Sequence, residues 1–116
     1  MFEISGIEEL NESIYLNKNK LIMLYFGASW CGPCKKLKAK LYDPIVLEEI
    51  SNMHICYLDI DNDSNNELVE IYNVESLPTI HFIKLNDDNE VEILNTVIGY
   101  DWDSIKSAYN QFSNVL

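Results

Sequence analysis

Apolar positions along this chain alternate between unbroken runs and helical spacing. Phe2 to Ile4 reads as a short strand. Ile7, Leu10 and Ile14 then recur three and four apart, as on one helical face, and predict a helix over residues 6–17. Ser5 and Glu8 have capping-box spacing ahead of it. After the polar loop Asn17-Lys18-Asn19-Lys20, the run Leu21-Ile22-Met23-Leu24-Tyr25-Phe26 predicts a buried strand ending at Gly27. Leu37 and Leu41, four apart, predict a helix from Gly32. Pro44 must break or kink it near Tyr42, because proline lacks the N–H and clashes with the preceding turn. Asp43 as N-cap and Pro44 in the first helical position predict that helix resumes as far as Ser51.

A second buried strand is expected from His54 to Ile60, closed by the turn Asp61-Asn62-Asp63. Ser64 and Glu67 form another capping box, opening a helix through Leu68 and Ile71 to Asn73. Thr79 to Leu85 and Glu90 to Ile98 flank Asn86-Asp87-Asp88-Asn89 and read as a hairpin. Gly99 interrupts the pattern, and Asp101 caps a last helix with Ile105, Ala108, Phe112 and Val115 on its inner face. The order is β-α-β-α-β-α-β-β-α. Strands separated by helices must be parallel, and the closing hairpin is antiparallel. The expected class is therefore α/β: a central mixed sheet of about five strands flanked by helices on both faces, in one domain over residues 1–116.

Composition narrows the function. Net charge is −11 and there is no arginine, which speaks against nucleic acid or an anionic membrane as partner. The local exception is Lys35, Lys36, Lys38 and Lys40, half of the lysines, directly after a cysteine pair. That cluster is either a solvated helix face or a basic collar that steadies a thiolate and steers acidic partners. No apolar run reaches the length of a membrane span, and Met1-Phe2-Glu3-Ile4 has neither a basic nor an apolar leader region. Three cysteines cannot make a closed disulfide framework. A Cys-x-x-Cys among strands and helices without a signal peptide points to redox chemistry in a reducing compartment, expected to be the cytoplasm.

The chemistry concentrates at Trp30-Cys31-Gly32-Pro33-Cys34. The pattern puts this stretch at a strand-to-helix junction with Cys31 at the helix N-terminus. Unpaired N–H groups and the helix dipole favour an anion there, so a thiol at that place has a lowered pKa. Cys34 lies one turn on, within reach of a disulfide. A Cys₃His zinc set from Cys31, Cys34, His54 and Cys56 is the competing use of these residues. His54-x-Cys56 falls on a strand rather than on a turn, so no metal is expected. Cys56 reads as a small buried hydrophobe, and His54 and His81 as structural or surface residues. Asp61-Asn62-Asp63 lacks the glycine and closing glutamate of a calcium loop and is taken as a turn.

The Trp30-Cys31-Gly32-Pro33-Cys34-Lys35 run, the Leu77-Pro78-Thr79 tripeptide and the order of elements resemble the thioredoxin family over essentially the whole chain. The resemblance implies protein-disulfide reductase activity through the Cys31–Cys34 dithiol, with no other cofactor and no metal. It implies Cys31 as attacking thiolate and Cys34 as the more buried resolving thiol. Pro78 would be a cis-proline against the disulfide. Trp30, Gly32, Pro33, Leu77, Pro78, Ile98 and Gly99 would line an apolar groove for an extended stretch of substrate. Oxidised client proteins and a reductant such as thioredoxin reductase or glutathione are the implied partners of a monomer. Two positions depart from the family. Tyr25 stands where a buried Asp is usual, and Tyr57 where its lysine partner is usual. A phenol is a poor base at neutral pH, so slower release of the mixed disulfide is expected. The Asp43-Pro44-Ile45-Val46 stretch looks more like thioredoxin-like domains with an Asp-Pro helix break, among them the ends of membrane disulfide reductases.

Overall fold

A computed structural model describes residues 1–114. Five strands form one sheet in the order β1-β3-β2-β4-β5: β1 Phe2–Glu3, β2 Leu21–Gly27, β3 Met53–Asp59, β4 Thr79–Leu85 and β5 Val91–Ile98. β1, β3 and β2 run parallel, while β4 is antiparallel to both β2 and β5. The helices are α1 Ile7–Leu16, α2 Gly32–Leu41, α3 Pro44–Glu49, α4 Asn66–Ile71 and α5 Trp102–Phe112, with a 3-10 turn at Asp63–Asn65. Val115, assigned above to the inner face of the last helix, lies outside the described residues.

β2 is central because it has no polar position to offer water; all seven of its residues are buried. Alternation along it feeds two cores. Leu21, Met23 and Tyr25 pack with Met53, Ile55 and Tyr57 of β3 under α2, α3 and α5, which contribute Leu37, Val46 and Ile105. Ile22, Leu24 and Phe26 pack with Cys56 and Leu58 under α1 and α4, which contribute Leu10, Ile14 and Leu68. Helices therefore cover both faces, as the alternation of elements requires.

Helix ends follow local chemistry, with two departures from expectation. Asp43 caps α3 through the amide of Ile45 at 2.9 Å, directly ahead of Pro44, and Asp101 caps α5 through the amide of Ser104 at 3.1 Å. The Ser5/Glu8 capping box does not form. Gly6, at φ +89°, occupies the cap of α1, leaving Ser5 one position outside, where its amide meets Glu9 at 3.3 Å. The Ser64/Glu67 box is also absent. Asn62 caps the 3-10 turn through the amide of Ser64, and α4 begins only at Asn66.

Asn65 explains that later start. It is fully buried, and its amide donates to the carbonyls of Ile4 (3.2 Å) and Asp59 (3.0 Å). Its side-chain oxygen accepts from the amide of Gly6 at 2.8 Å. One side chain thus ties the entry of α1 to the end of β3. Asn65→Ala leaves these buried backbone groups without a partner and is expected to cost about 2–4 kcal/mol. Denaturant unfolding checks this, and a loss below about 1 kcal/mol would contradict it.

Candidate active site

β2 ends at Gly27, and after four intervening residues the chain enters α2. Cys31 is the N-cap of that helix, with extended backbone (φ −83°, ψ 116°), and its Sγ accepts the amide of Cys34 at 3.3 Å. Its own amide is held by the carbonyl of Ala28 at 3.2 Å. Gly32 and Pro33 form the exposed first two positions of the helix, where proline's missing N–H costs nothing. Cys34 follows one turn in. The two sulfurs are joined in a disulfide with Cα atoms 5.2 Å apart. Cys31 keeps 6 % of its surface exposed and Cys34 2 %, so the cap residue is the more accessible of the two.

The other predicted site residues come from the far side of the sheet. Thr79 pairs with Phe26, so Pro78 comes level with Gly27, where β2 hands over to the cysteine loop. The Leu77–Pro78 peptide is cis. The carbonyl of Pro78 accepts the amide of Gly99 at 2.8 Å, and Thr79 pairs with Ile98. Leu77, Pro78, Ile98 and Gly99 therefore meet at one end of the β4–β5 pair. Leu77 touches the core cluster that holds both cysteines. Trp30 and Ile98 are 65 % and 64 % exposed, large apolar surfaces presented to water.

Two neighbours escaped the sequence reading. Asp61 accepts the indole N–H of Trp30 at 2.8 Å, fixing the ring beside Cys31; a turn motif gives no hint of that long-range bond. Gly27 is the second. A Cβ there would lie 2.9 Å from Tyr25 Cε1, 3.1 Å from Tyr57 Cε1 and 3.4 Å from Cys34 Sγ. The two rings and the inner sulfur close over the space a side chain would need. They meet edge to face, centroids 4.9 Å apart.

Tyr25 is buried, and its hydroxyl donates to the carbonyl oxygen of Cys34 at 2.7 Å. Burial, helped by Tyr57, pushes its pKa far above the ordinary phenol range. Burial, with Asp59, Glu3 and Asp61 nearby, pushes Tyr57 up to about 12. Neither phenol is a base at neutral pH. The lysines of α2 divide: Lys38 lies over the Tyr57 ring at 4.5 Å and Lys40 over Trp102 at 5.4 Å, whereas Lys35 and Lys36 face solvent.

His54 and Cys56 share the face of β3 opposite Tyr57, and Cys56 belongs to the other core. His54 Nε2 and Cys56 Sγ lie 2.7 Å and 3.6 Å from the Ser13 hydroxyl. Strand alternation thus separates them from Cys31 and Cys34, and a joint Cys₃His site cannot assemble. His81 is buried between Thr96 and the carbonyl of Tyr72, at 2.8 Å and 3.0 Å. Among the described residues no group of three His, Cys, Asp or Glu side chains is placed to hold a metal ion.

The Thioredoxin family profile matches residues 6–107 of the chain. The chain is a member of the thioredoxin family. Members of this family are thiol–disulfide oxidoreductases, and the Cys31–Cys34 disulfide is the redox-active pair that such chemistry needs. The chain is similar to Thioredoxin 3 of Plasmodium falciparum, 29 % identical over 95 % of this chain, and spans 58 % of that relative's length. It is similar to Thioredoxin-T of Drosophila melanogaster, 28 % identical over 99 % of this chain and 68 % of the relative. Among solved structures, Trichomonas vaginalis thioredoxin superposes with a TM-score of 0.83 at 28 % identity, covering 97 % of both chains. The five-stranded mixed sheet with helices on both faces is the thioredoxin fold.

The third cysteine gives a test of the separation between the faces. Cys56 is fully buried, and burial pushes its thiol up to about 11 despite its contact with Ser13. In the oxidised native protein, alkylating reagent at about pH 8 is expected to leave Cys56 unlabelled until denaturant is added. Mass spectrometry checks this, and rapid native labelling would contradict it.

Proposed function

We propose that this chain is a protein-disulfide reductase in which Cys31 attacks and Cys34 resolves. The observation that carries the reading is the cap: Cys31 Sγ accepts an amide at the start of α2, and Cys34 sits deeper, one turn away. In the reduced protein, N–H donors and the helix dipole favour the Cys31 thiolate over the thiol. That thiolate attacks one sulfur of a client disulfide, and the other client sulfur leaves with the bonding electrons. The result is a mixed disulfide on Cys31. Cys34 then loses its proton and attacks the Cys31 sulfur. The client leaves as its second thiolate and is protonated, and the Cys31–Cys34 disulfide is restored.

An extended client segment fits across Trp30, Gly32, Pro33, Leu77, Pro78, Ile98 and Gly99. The exposed surface of Trp30, Gly32, Pro33 and Ile98, above a buried Pro78, and the loop ahead of β4 favour a strand-like partner over a small molecule. The catalytic unit is the single domain, acting as a monomer with no bound cofactor. Its dithiol is regenerated by thioredoxin reductase or by glutathione in the reducing environment of the cytoplasm. Release of the client is slow, since Tyr25 supplies no carboxylate to take the Cys34 proton.

The reading is tested by insulin reduction, driven in turn by dithiothreitol, by thioredoxin reductase with NADPH, and by glutathione. Turnover with at least one donor is expected, as is complete loss in the Cys31→Ser, Cys34→Ser double variant. A double variant that retains activity would make the chain a client-binding module instead. Compared with Tyr25→Phe, which also lacks the hydroxyl but gains no base, Tyr25→Asp is expected to speed the second exchange at least about a hundredfold near neutral pH, the lower end of what a placed base contributes. An unchanged rate would contradict the role given to the missing carboxylate.

A further inference from the structure

The first turn of α2 has few anchors. Gly32 and Pro33 are exposed, and a Cβ built on Gly32 meets nothing within 4 Å. The inward hold on the turn comes at Cys34, whose carbonyl accepts the buried Tyr25 hydroxyl at 2.7 Å. The Tyr25 ring has little freedom to leave. It is wedged against the backbone of Gly27 on one side and the edge-on Tyr57 ring on the other. Its hydroxyl is directed at the backbone carbonyl. The titratable groups around it are Tyr57 from β3 and Lys38 from α2, which lies over the Tyr57 face. Asp59, Glu3 and Asp61 act on Tyr57 in turn.

We propose that Tyr25 is a positioning residue for the second thiol–disulfide exchange: its hydroxyl anchors the Cys34 carbonyl, and with it the first turn of α2, while Cys34 Sγ attacks Cys31 Sγ. Tyr25 acts within the reductase cycle proposed above, so its role depends on that cycle. In this step Cys34 gives its proton to water and its sulfur bonds to Cys31. The bond between Cys31 and the client sulfur breaks, and the client sulfur takes the electron pair and then a proton. In-line attack needs the two sulfurs aligned at close range, and small displacements of the attacking group are costly in rate. Tyr25 neither accepts the proton nor touches the client.

Tyr25→Phe keeps the ring and its packing and deletes only the hydroxyl. Reduced protein is mixed with a chromogenic aryl disulfide that releases one coloured thiolate per exchange. The first release reports attack by Cys31 and depends on reagent concentration; the second reports resolution by Cys34 and does not. The variant is expected to keep the first rate and to lose about fivefold in the second, the size of one net hydrogen bond. The loss should be the same from about pH 6 to about pH 9, and amide exchange in the first turn of α2 should quicken. Unchanged second release with unchanged amide exchange would overturn the proposal. So would a loss that shrinks as pH rises, the mark of a proton acceptor. If wild-type protein gives no second release at all, the reductase reading fails, and the role of Tyr25 fails with it.

Discussion

Everything at this site depends on one short contact, the amide of Cys34 directed at the sulfur of Cys31. A helix begins with N–H groups that no earlier carbonyl can satisfy. Most helices meet that need with an oxygen from Ser, Thr, Asp or Asn at the cap, as Asp43 and Asp101 do here. α2 uses a sulfur. The same geometry that closes the helix end favours negative charge on the capping atom. In the proposed cycle the helix start and the reactive thiolate are one feature, and the rest of the fold serves to place it.

That placement comes from the sheet. β2 is buried along its whole length, so its C-terminal end is fixed, and the cysteine loop leaves from a rigid point. β4 pairs antiparallel with β2 and brings Pro78 level with that point. β5 then brings Ile98 and Gly99 alongside through the amide bond to Pro78. Residues distant in the chain converge because strand register leaves them no alternative. Beneath them, Tyr25 and Tyr57 fill with aromatic surface the place where thioredoxins usually bury a carboxylate and a lysine. Removing a buried charge pair in favour of packed side chains is commonly neutral or stabilising. In the proposed cycle this replacement shifts the second exchange from proton transfer by a protein group toward proton transfer by water.

Much of this was legible in the residues. The unbroken apolar run of β2 gave its bounds at Leu21–Gly27, and Asp43-Pro44 gave the helix break, because local chemistry dictates both. Neither capping box forms. The Ser-x-x-Glu spacing is present, but Gly6 at positive φ takes the cap of α1, Glu9 meets the amide of Ser5, and Asn62 meets the amide of Ser64. The bonds from Tyr25 to Cys34 and from Trp30 to Asp61 were invisible, since each joins elements whose proximity only the folded sheet creates. His54 and Cys56 sit two residues apart in the chain, on a stretch legible as a strand and therefore read as structural rather than as a ligand pair. The alternation of β3 places both on the face away from Cys31 and Cys34.

The most direct test of the central claim is the pH dependence of Cys31 alkylation in the reduced protein, followed residue by residue by mass spectrometry. A sulfur held at the helix cap is expected to react as a thiolate with a midpoint near pH 7 or below, about the range of other Cys-x-x-Cys thiols at helix N-termini. A midpoint near about 8.5, that of a free cysteine, would contradict the account.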